Sequence, residues 1–315
     1  RACSGRPDMA SLQPAPLPSS RVLDRFELTD ELLGEGGYGR VVAAKDTSMQ
    51  PVGRVAAKVL ETAAGQLTTA QVQRELNAYR VVQSGCRCEF MLHLFADAPL
   101  VDRHVLFLEM CAGGDLLDRV LDSGGLGDAQ GRGLFAQLAA AVAHCHSCNV
   151  AHRDIKLENV MLTASGHARL GDLGLATIFP SGSSAWCTDF AGSPSYAAPE
   201  VWQTKGTGAG HDAYAADLWS VGVCVFTMLS NMFPVDSANP IQTADAPLDW
   251  RFELLLQCER AGACFAEELH AEVRRPLRVS AAARRLLGSL LATAPRERGT
   301  AADLLRCEWL HPPPD

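Results

Sequence analysis

The most constraining feature of this chain is a glycine string, Gly34-Glu35-Gly36-Gly37-Tyr38-Gly39-Arg40-Val41, set between two strand patterns. From Phe26 to Arg40 apolar and polar residues alternate until the glycines intervene, and Val41-Val42-Ala43-Ala44 resumes a strand. This arrangement predicts a β-hairpin with a glycine-rich turn. Dinucleotide-binding folds place a similar string between a strand and a helix, so the setting argues against them. Without a Cβ, glycine lets backbone N–H groups come close to phosphate oxygens, although the same residues would also serve a plain hairpin.

Four further motifs follow in order. Val55-Ala56-Ala57-Lys58 is a short strand carrying a lysine that would need an anionic partner if it points inward. Phosphates and Glu75 are the candidates, since Val72, Leu76 and Tyr79 predict a helix over 69–82 that carries Glu75; the alternative is a surface lysine. His152-Arg153-Asp154-Ile155-Lys156-Leu157-Glu158-Asn159 suits chemistry better than a core: Asp154 can take a proton from a hydroxyl, Lys156 can neutralise a phosphate, and Asn159 can hold a metal through its amide oxygen. Asp172-Leu173-Gly174 offers a Mg²⁺ ligand in Asp172, and Ala198-Pro199-Glu200 closes the series.

Elsewhere, apolar runs predict strands at 91–95, 105–109, 160–162 and 168–170, and helical spacing covers 134–146, 215–230, 249–257, 280–292 and 300–308. Residues 181–212 are rich in Gly, Ser and Thr and read as a long, functional loop. The chain of 315 residues is long enough for two domains, and its 47 % apolar content excludes general disorder. A formal charge of −8 argues against a general nucleic-acid binder. No run of about 18 uncharged apolar residues is present, so neither a membrane span nor a membrane partner is expected; Leu218–Leu229 reads as a buried helix. Eleven cysteines, an odd number, with no export signal in view, read as free thiols in a reducing compartment, which places the expected location in the cytoplasm, with the nucleus also compatible.

With five motifs in this order, the chain resembles the eukaryotic protein kinases over about residues 24–311, and it leans toward the calmodulin-dependent group. The resemblance implies an α+β, bilobal protein kinase fold. A disordered, Pro-rich tail is expected at 1–23, before a small β-rich N-lobe with one main helix at 24–110, a larger, mostly helical C-lobe at 111–311 and a tail at 312–315. It also implies ATP and Mg²⁺ as cofactors. Gly34, Glu35, Gly36, Gly37, Tyr38 and Gly39 would cover the phosphates, Lys58 paired with Glu75 would hold them, and Val41, Ala56 and Met161 would sandwich adenine. Backbone groups of Glu109 and Cys111 would bind the adenine edge, and Asp115 the ribose. Asp154 would be the catalytic base, Lys156 would contact the γ-phosphate, and Asn159 and Asp172 would hold the metal.

Lys156 two residues after Asp154, together with Ser193, matches the serine/threonine pattern and implies protein Ser/Thr substrates. Glu158 and Asp115 match positions that meet an upstream arginine in basophilic relatives, whereas a third such position is Thr227, so a partial basic preference is expected. Arg153 would pair with an activation-loop phosphate placed by an upstream kinase at Thr188 or Ser184, with Ser183 weaker; the carboxylate of Asp189 could serve instead. Asp217 would support the His152–Arg153 backbone, and Arg298 would pair with Glu200. The 98 residues between that last pair imply an insertion near 238–275. Leu173 replaces the usual Phe of the metal-binding triplet, a departure that leaves the catalytic set complete. The rival reading is a pseudokinase scaffold that binds ATP or partners without phosphoryl transfer, and Pro14–Pro18 could additionally bind an SH3-type partner. His144, Cys145, His146 and Cys148 point in different directions on a helix and suit tetrahedral zinc badly.

Overall fold

The computed structural model describes residues 21–22, 24–36, 39–62, 67–241, 247–277 and 279–312. Gly37 and Tyr38 of the glycine string, and the Pro-rich stretch with its candidate SH3 ligand, lie outside the described residues. Two compact units emerge, one within residues 1–66 and Phe95–Glu109, the other within Leu67–Leu94 and 110–315.

The first unit is a six-stranded sheet in the order β1-β2-β3-β4-β6-β5. Its strands are β1 (Arg21–Val22), β2 (Phe26–Gly36), β3 (Gly39–Asp46), β4 (Gly53–Glu61), β5 (Leu94–Pro99) and β6 (Arg103–Glu109). Arg21 and Val22, which fall inside the expected tail, pair with Glu27 and Phe26. Period-2 alternation decides the faces. Val55, Ala57 and Val59 of β4 join Phe26, Val105 and Phe107 in the core, where the Phe26 and Phe107 rings stack at 4.0 Å. At Gly39 β3 lies close against β4: a Cβ there would lie 2.0 Å from the Val59 carbonyl oxygen, and its φ is +150°.

In the second unit, α1 (Thr69–Gln83) starts from a Thr68–Gln71 capping box. It is tied to the rest of that unit by His144 Nε2, which donates to the Val82 carbonyl at 2.7 Å. The remaining helices are α2 (Leu116–Ser123), α3 (Asp128–Ser147), α4 (Pro199–Thr207), α5 (Ala213–Ser230), α6 (Trp250–Ala261), α7 (Phe265–Glu272), α8 (Ala281–Leu290) and α9 (Ala301–Leu304). Short strands β7 (Val150–Ala151), β8 (Val160–Leu162), β9 (Ala168–Leu170), β10 (Thr177–Ile178), β11 (Trp186–Cys187) and β12 (His211–Asp212) pair as β7–β10, β8–β9 and β11–β12. Among the described residues α5 alone is long and apolar enough to cross a membrane by length and composition; 78 % of it is buried inside the protein, where it forms the central helix of this unit.

Several expectations need correcting. The apolar run 91–95 is not one strand: Met91 makes a single bridge to Leu170, Leu92 N–H donates to the Leu170 carbonyl at 2.8 Å, and β5 starts only at Leu94. The loop expected over 181–212 contains α4, which has proline in its first turn and the left-handed Gly208 as its cap. The helix expected over 134–146 begins earlier, at Asp128, and the one expected over 300–308 is a single turn, Ala301–Leu304. Within 238–275, where an insertion is expected, the described residues form α6 and α7, and 242–246 lie outside the described residues; neither observation bears on whether the stretch is inserted.

Candidate active site

The first unit supplies one face of its sheet. Gly34 and Gly36 end β2 and Gly39 opens β3, with Gly36 opposite Gly39 and Gly34 opposite Val41. Val41 lies opposite Lys58, and Ala56 lies opposite Leu108 and Lys58 opposite Leu106. Side chains paired across a ladder share a face, so Val41, Ala56 and Lys58 stand together on the face opposite the Val55–Ala57–Val59 core. Glu35 is exposed on β2, and Glu109 closes β6.

In the second unit the segment from β7 to β8 is the centre of a hydrogen-bond web. Its backbone is fixed from below by Asp217 on α5, which is 1 % exposed. Asp217 accepts His152 N–H at 2.9 Å, Arg153 N–H at 2.8 Å and His146 Nε2 at 2.9 Å. Three donors compensate a carboxylate that burial alone would penalise heavily. They also hold Arg153 at a φ of +65°, a left-handed conformation that is rare outside glycine. His152 donates Nε2–H to the Gly171 carbonyl at 2.9 Å and accepts Asp154 N–H on Nδ1 at 3.3 Å, so both ring nitrogens are committed. The same contacts on His144 and His146 leave those rings engaged with the Val82 carbonyl and Asp217 rather than with each other. Among the described residues no cluster of three or more His, Cys, Asp or Glu could hold a metal ion.

Asp154, 10 % exposed at its side chain, receives bonds on both oxygens. Oδ1 accepts the Ser193 amide at 3.0 Å and its hydroxyl at 2.9 Å. Oδ2 lies 3.0 Å from Lys156 Nζ and accepts Asn159 Nδ2 at 3.2 Å. Lys156 also donates to Ser193 Oγ at 2.9 Å, and Asn159 Nδ2 donates to the Asp154 carbonyl at 2.8 Å. The segment carrying Ser193 can come this close because Gly192 has no side chain: a Cβ there would stand 2.6 Å from the Arg153 carbonyl oxygen.

Asp172 has a φ of +57°. Its N–H donates to the Tyr79 hydroxyl at 3.2 Å, and its Oδ1 accepts Gly174 N–H at 3.3 Å. The buried Glu75 carboxylate is also local: the position of a Cβ on Gly174 lies 3.2 Å from Asp172 Oδ1 and 3.5 Å from Glu75 Oε2. Tyr79 is a positioning residue that the motifs alone did not reveal; its signal was its place one turn after Glu75 on the same helix face. Leu173 is fully buried, as an apolar side chain next to Asp172 should be. Asp115 caps α2 by accepting Asp118 N–H at 2.9 Å and bridges Met161 through the backbone.

Two peripheral features touch this web. Glu158 is exposed, and its Oε2 accepts the Tyr196 hydroxyl at 2.9 Å; burial first, then the nearby negative groups, push that phenol well above its ordinary value. Arg153 donates to Thr177 Oγ1 at 2.9 Å and pairs with Asp189 Oδ1 at 2.8 Å, its own side chain being 8 % exposed. Burial raises the Asp189 carboxyl, but the Arg153 hydrogen bond and charge outweigh this and leave it below its ordinary value. Thr188, Ser184 and Ser183 are all exposed beside this pair. Thr227, by contrast, is 1 % exposed.

Residues 28–310 match the protein kinase domain model. The chain belongs to the protein kinase family. It is 32 % identical to CBL-interacting protein kinase 3 of Oryza sativa subsp. japonica over 292 residues, covering 92 % of this chain and 58 % of that protein. It is 33 % identical to CBL-interacting serine/threonine-protein kinase 1 of Arabidopsis thaliana over 222 residues, 69 % of this chain and 47 % of the relative. With human testis-specific serine/threonine-protein kinase 3 it shares 34 % identity over 210 residues, 66 % and 74 % of the two chains. The chain thus spans about half the length of the CBL-interacting kinases it matches. Kinase-family membership and the α+β kinase fold agree with the resemblance carried by the five motifs.

Proposed function

We infer that this chain is a serine/threonine protein kinase that moves the γ-phosphate of ATP to Ser or Thr hydroxyls of protein substrates. The observation that carries the reading is the Asp154 web: a carboxylate fixed on both oxygens by Lys156, Asn159 and Ser193, in a chain of this family. In the reaction the substrate oxygen bonds to the γ-phosphorus, the bond to the β,γ-bridging oxygen breaks, and the hydroxyl proton passes to Asp154. Lys156 would follow charge on the transferred group. Lys58 would hold the α/β-phosphates and Glu75 would orient it, while the glycines of β2 and β3 offer backbone N–H groups. Asn159 and Asp172 fit a hard cation by their donor chemistry: the Asn159 nitrogen is committed to Asp154, which leaves its amide oxygen, and Asp172 adds a carboxylate. When bound, Mg²⁺ supplies neutralisation of phosphate charge.

Substrate preference would be partly basic. Glu158 keeps one oxygen for an upstream arginine while the other accepts Tyr196, and the buried Thr227 adds nothing. The Arg153–Asp189 pair supports activity without a phosphate on Thr188. The deciding experiment uses bacterially produced, phosphate-free protein on a degenerate peptide library with ATP and Mg²⁺, beside Asp172→Asn. Transfer to Ser/Thr peptides enriched in upstream Arg or Lys, abolished by Asp172→Asn, is the expected result. ATP binding without transfer would favour the scaffold reading. Transfer that appears only after phosphorylation of Thr188 would show that Asp189 is not a sufficient substitute.

A further inference from the structure

Behind the Asp154 web the second unit has a partly open cavity of about 20 Å³, lined among others by Arg153, Asp154, Ser193, His211, Asp217 and Ser220. That is room for one water, which needs two to four polar partners. One partner is already waiting. His211 is 97 % buried, since its exposure is 3 %, and its Nδ1 has no hydrogen-bond partner. His211 sits on β12 opposite Cys187 of β11, and two residues further along the chain Asp189 holds Arg153. The ring is therefore linked through one short ladder to the ion pair, and through one cavity to the catalytic carboxylate.

We propose that His211 is a positioning residue for the Asp154 web: neutral, it binds a water in this cavity that helps seat the Ala191–Ser193 segment; protonated, it sets a second cation beside Arg153 and competes for Asp189. The inference rests on the kinase reading above. The charged groups facing the ring are Arg153 and Asp154 from the catalytic loop, Asp189 from the segment after β11, and Glu200 from α4, itself paired with Arg298; Asp217 on α5 and Asp212 beside it complete the set. Burial first, then the Arg153 charge, lower the ring's pKa against the opposing pull of Glu200, Asp189 and Asp212. Neutral His211 is consequently the resting form near neutral pH, and protonation belongs to the acid side of the ordinary histidine value.

The test compares wild type, His211→Gln and His211→Phe in peptide phosphorylation between about pH 5.5 and about pH 8. Wild-type kcat should fall about tenfold toward the acid end with the KM for ATP changed less than about twofold. His211→Gln, polar but unable to titrate, should keep neutral-pH kcat within about twofold and lose most of the acid decline. His211→Phe, which fills the space without a polar atom, should lose about fivefold at neutral pH. Identical acid declines in wild type and His211→Gln would overturn the proposal, as would a fully active His211→Phe. A second arm reads the ring directly by NMR, its Cε1–H signal assigned by its loss in His211→Gln. The signal should titrate below the ordinary histidine value and shift upward in Arg153→Gln; an ordinary titration, indifferent to Arg153→Gln, would overturn the coupling. Because this arm needs no turnover, an inactive wild type would count against the kinase reading alone.

Discussion

Asp46 and Asp217 are each 1 % exposed, and each resolves the cost of a buried charge with its own set of donors. Asp217 gathers two backbone amides and a histidine beneath the segment that carries Asp154. Asp46, at the end of β3, takes a fork from Arg25, Nε at 3.0 Å and Nη2 at 2.6 Å, and adds the Ser48 amide at 3.0 Å. The Arg25 hydrogen bond, more than burial or Ser48, holds the Asp46 carboxyl well below the usual carboxylate range. Because the folded value is depressed, the pair stabilises fully above the unfolded carboxylate value of about 4 and is lost as pH falls below it, where the unfolded chain takes up a proton that the folded chain refuses. Arg25 is 40 % exposed, so the contribution is moderated to about 1–2 kcal/mol. Asp46→Asn should lower the denaturation midpoint at neutral pH, and its gap to wild type should narrow as pH falls below about 4; a constant offset at every pH would contradict this account. The two residues also differ in how far sequence exposes them. Asp217 stands in a recognisable string with Trp219 and Gly222, whereas Asp46 carries no local pattern and its partner lies 21 residues away.

At the scale of elements, period and punctuation account for what could be read. In β4 burial alternates only from Val55 to Val59, and Val55-Ala56-Ala57-Lys58-Val59 alone left open which way the lysine points. α2 escaped notice despite its Asp115 cap and left-handed Gly124 terminus, because eight residues give too short a period to stand out. α4 was hidden by the Gly, Ser and Thr content around it. The run 91–95 misled because an apolar stretch does not say whether its backbone pairs along its length or only at one point. Two helical glycines show how packing overrides propensity. Gly133 of α3 is exposed with nothing within 4 Å of its Cβ position, while Gly222 of α5 would place a Cβ 2.8 Å from Leu290 Cβ and 3.1 Å from Leu291 Cδ2. Alanine is the better helix former by about 0.5–1 kcal/mol, so Gly133→Ala should raise the thermal midpoint. Gly222→Ala should lower it, by overpacking of about 1–3 kcal/mol against α8. Both measured by calorimetry, shifts of the same sign would contradict the packing argument.

Within the second unit one side chain that ties several elements together is that of Arg298, which is fully buried. It grips Glu200 at the start of α4 with two bonds, 2.5 and 2.9 Å, across 98 residues. It donates to the Ala215 carbonyl on α5 and to the Ala292 carbonyl after α8, both at 2.9 Å, and its guanidinium lies 5.1 Å from the Trp219 ring centroid. One cation thus joins α4, α5 and the turn after α8, and α4 in turn follows directly from the segment that presents Ser193 to Asp154. The sequence exposed the partners through their motif positions but not the two carbonyls or the ring, which only the fold brings together. Removing the cation alone leaves a carboxylate that is 12 % exposed without its partner, a loss of about 3–5 kcal/mol, whereas neutralising both sides removes the stranded charge. Arg298→Met should therefore destabilise the protein severely, and adding Glu200→Gln to it should restore part of the loss, read as a positive recovery of the denaturation midpoint in a double-mutant cycle. If the double variant were as unstable as the sum of the two single ones, the carbonyl and aromatic contacts rather than the ion pair would be what Arg298 contributes.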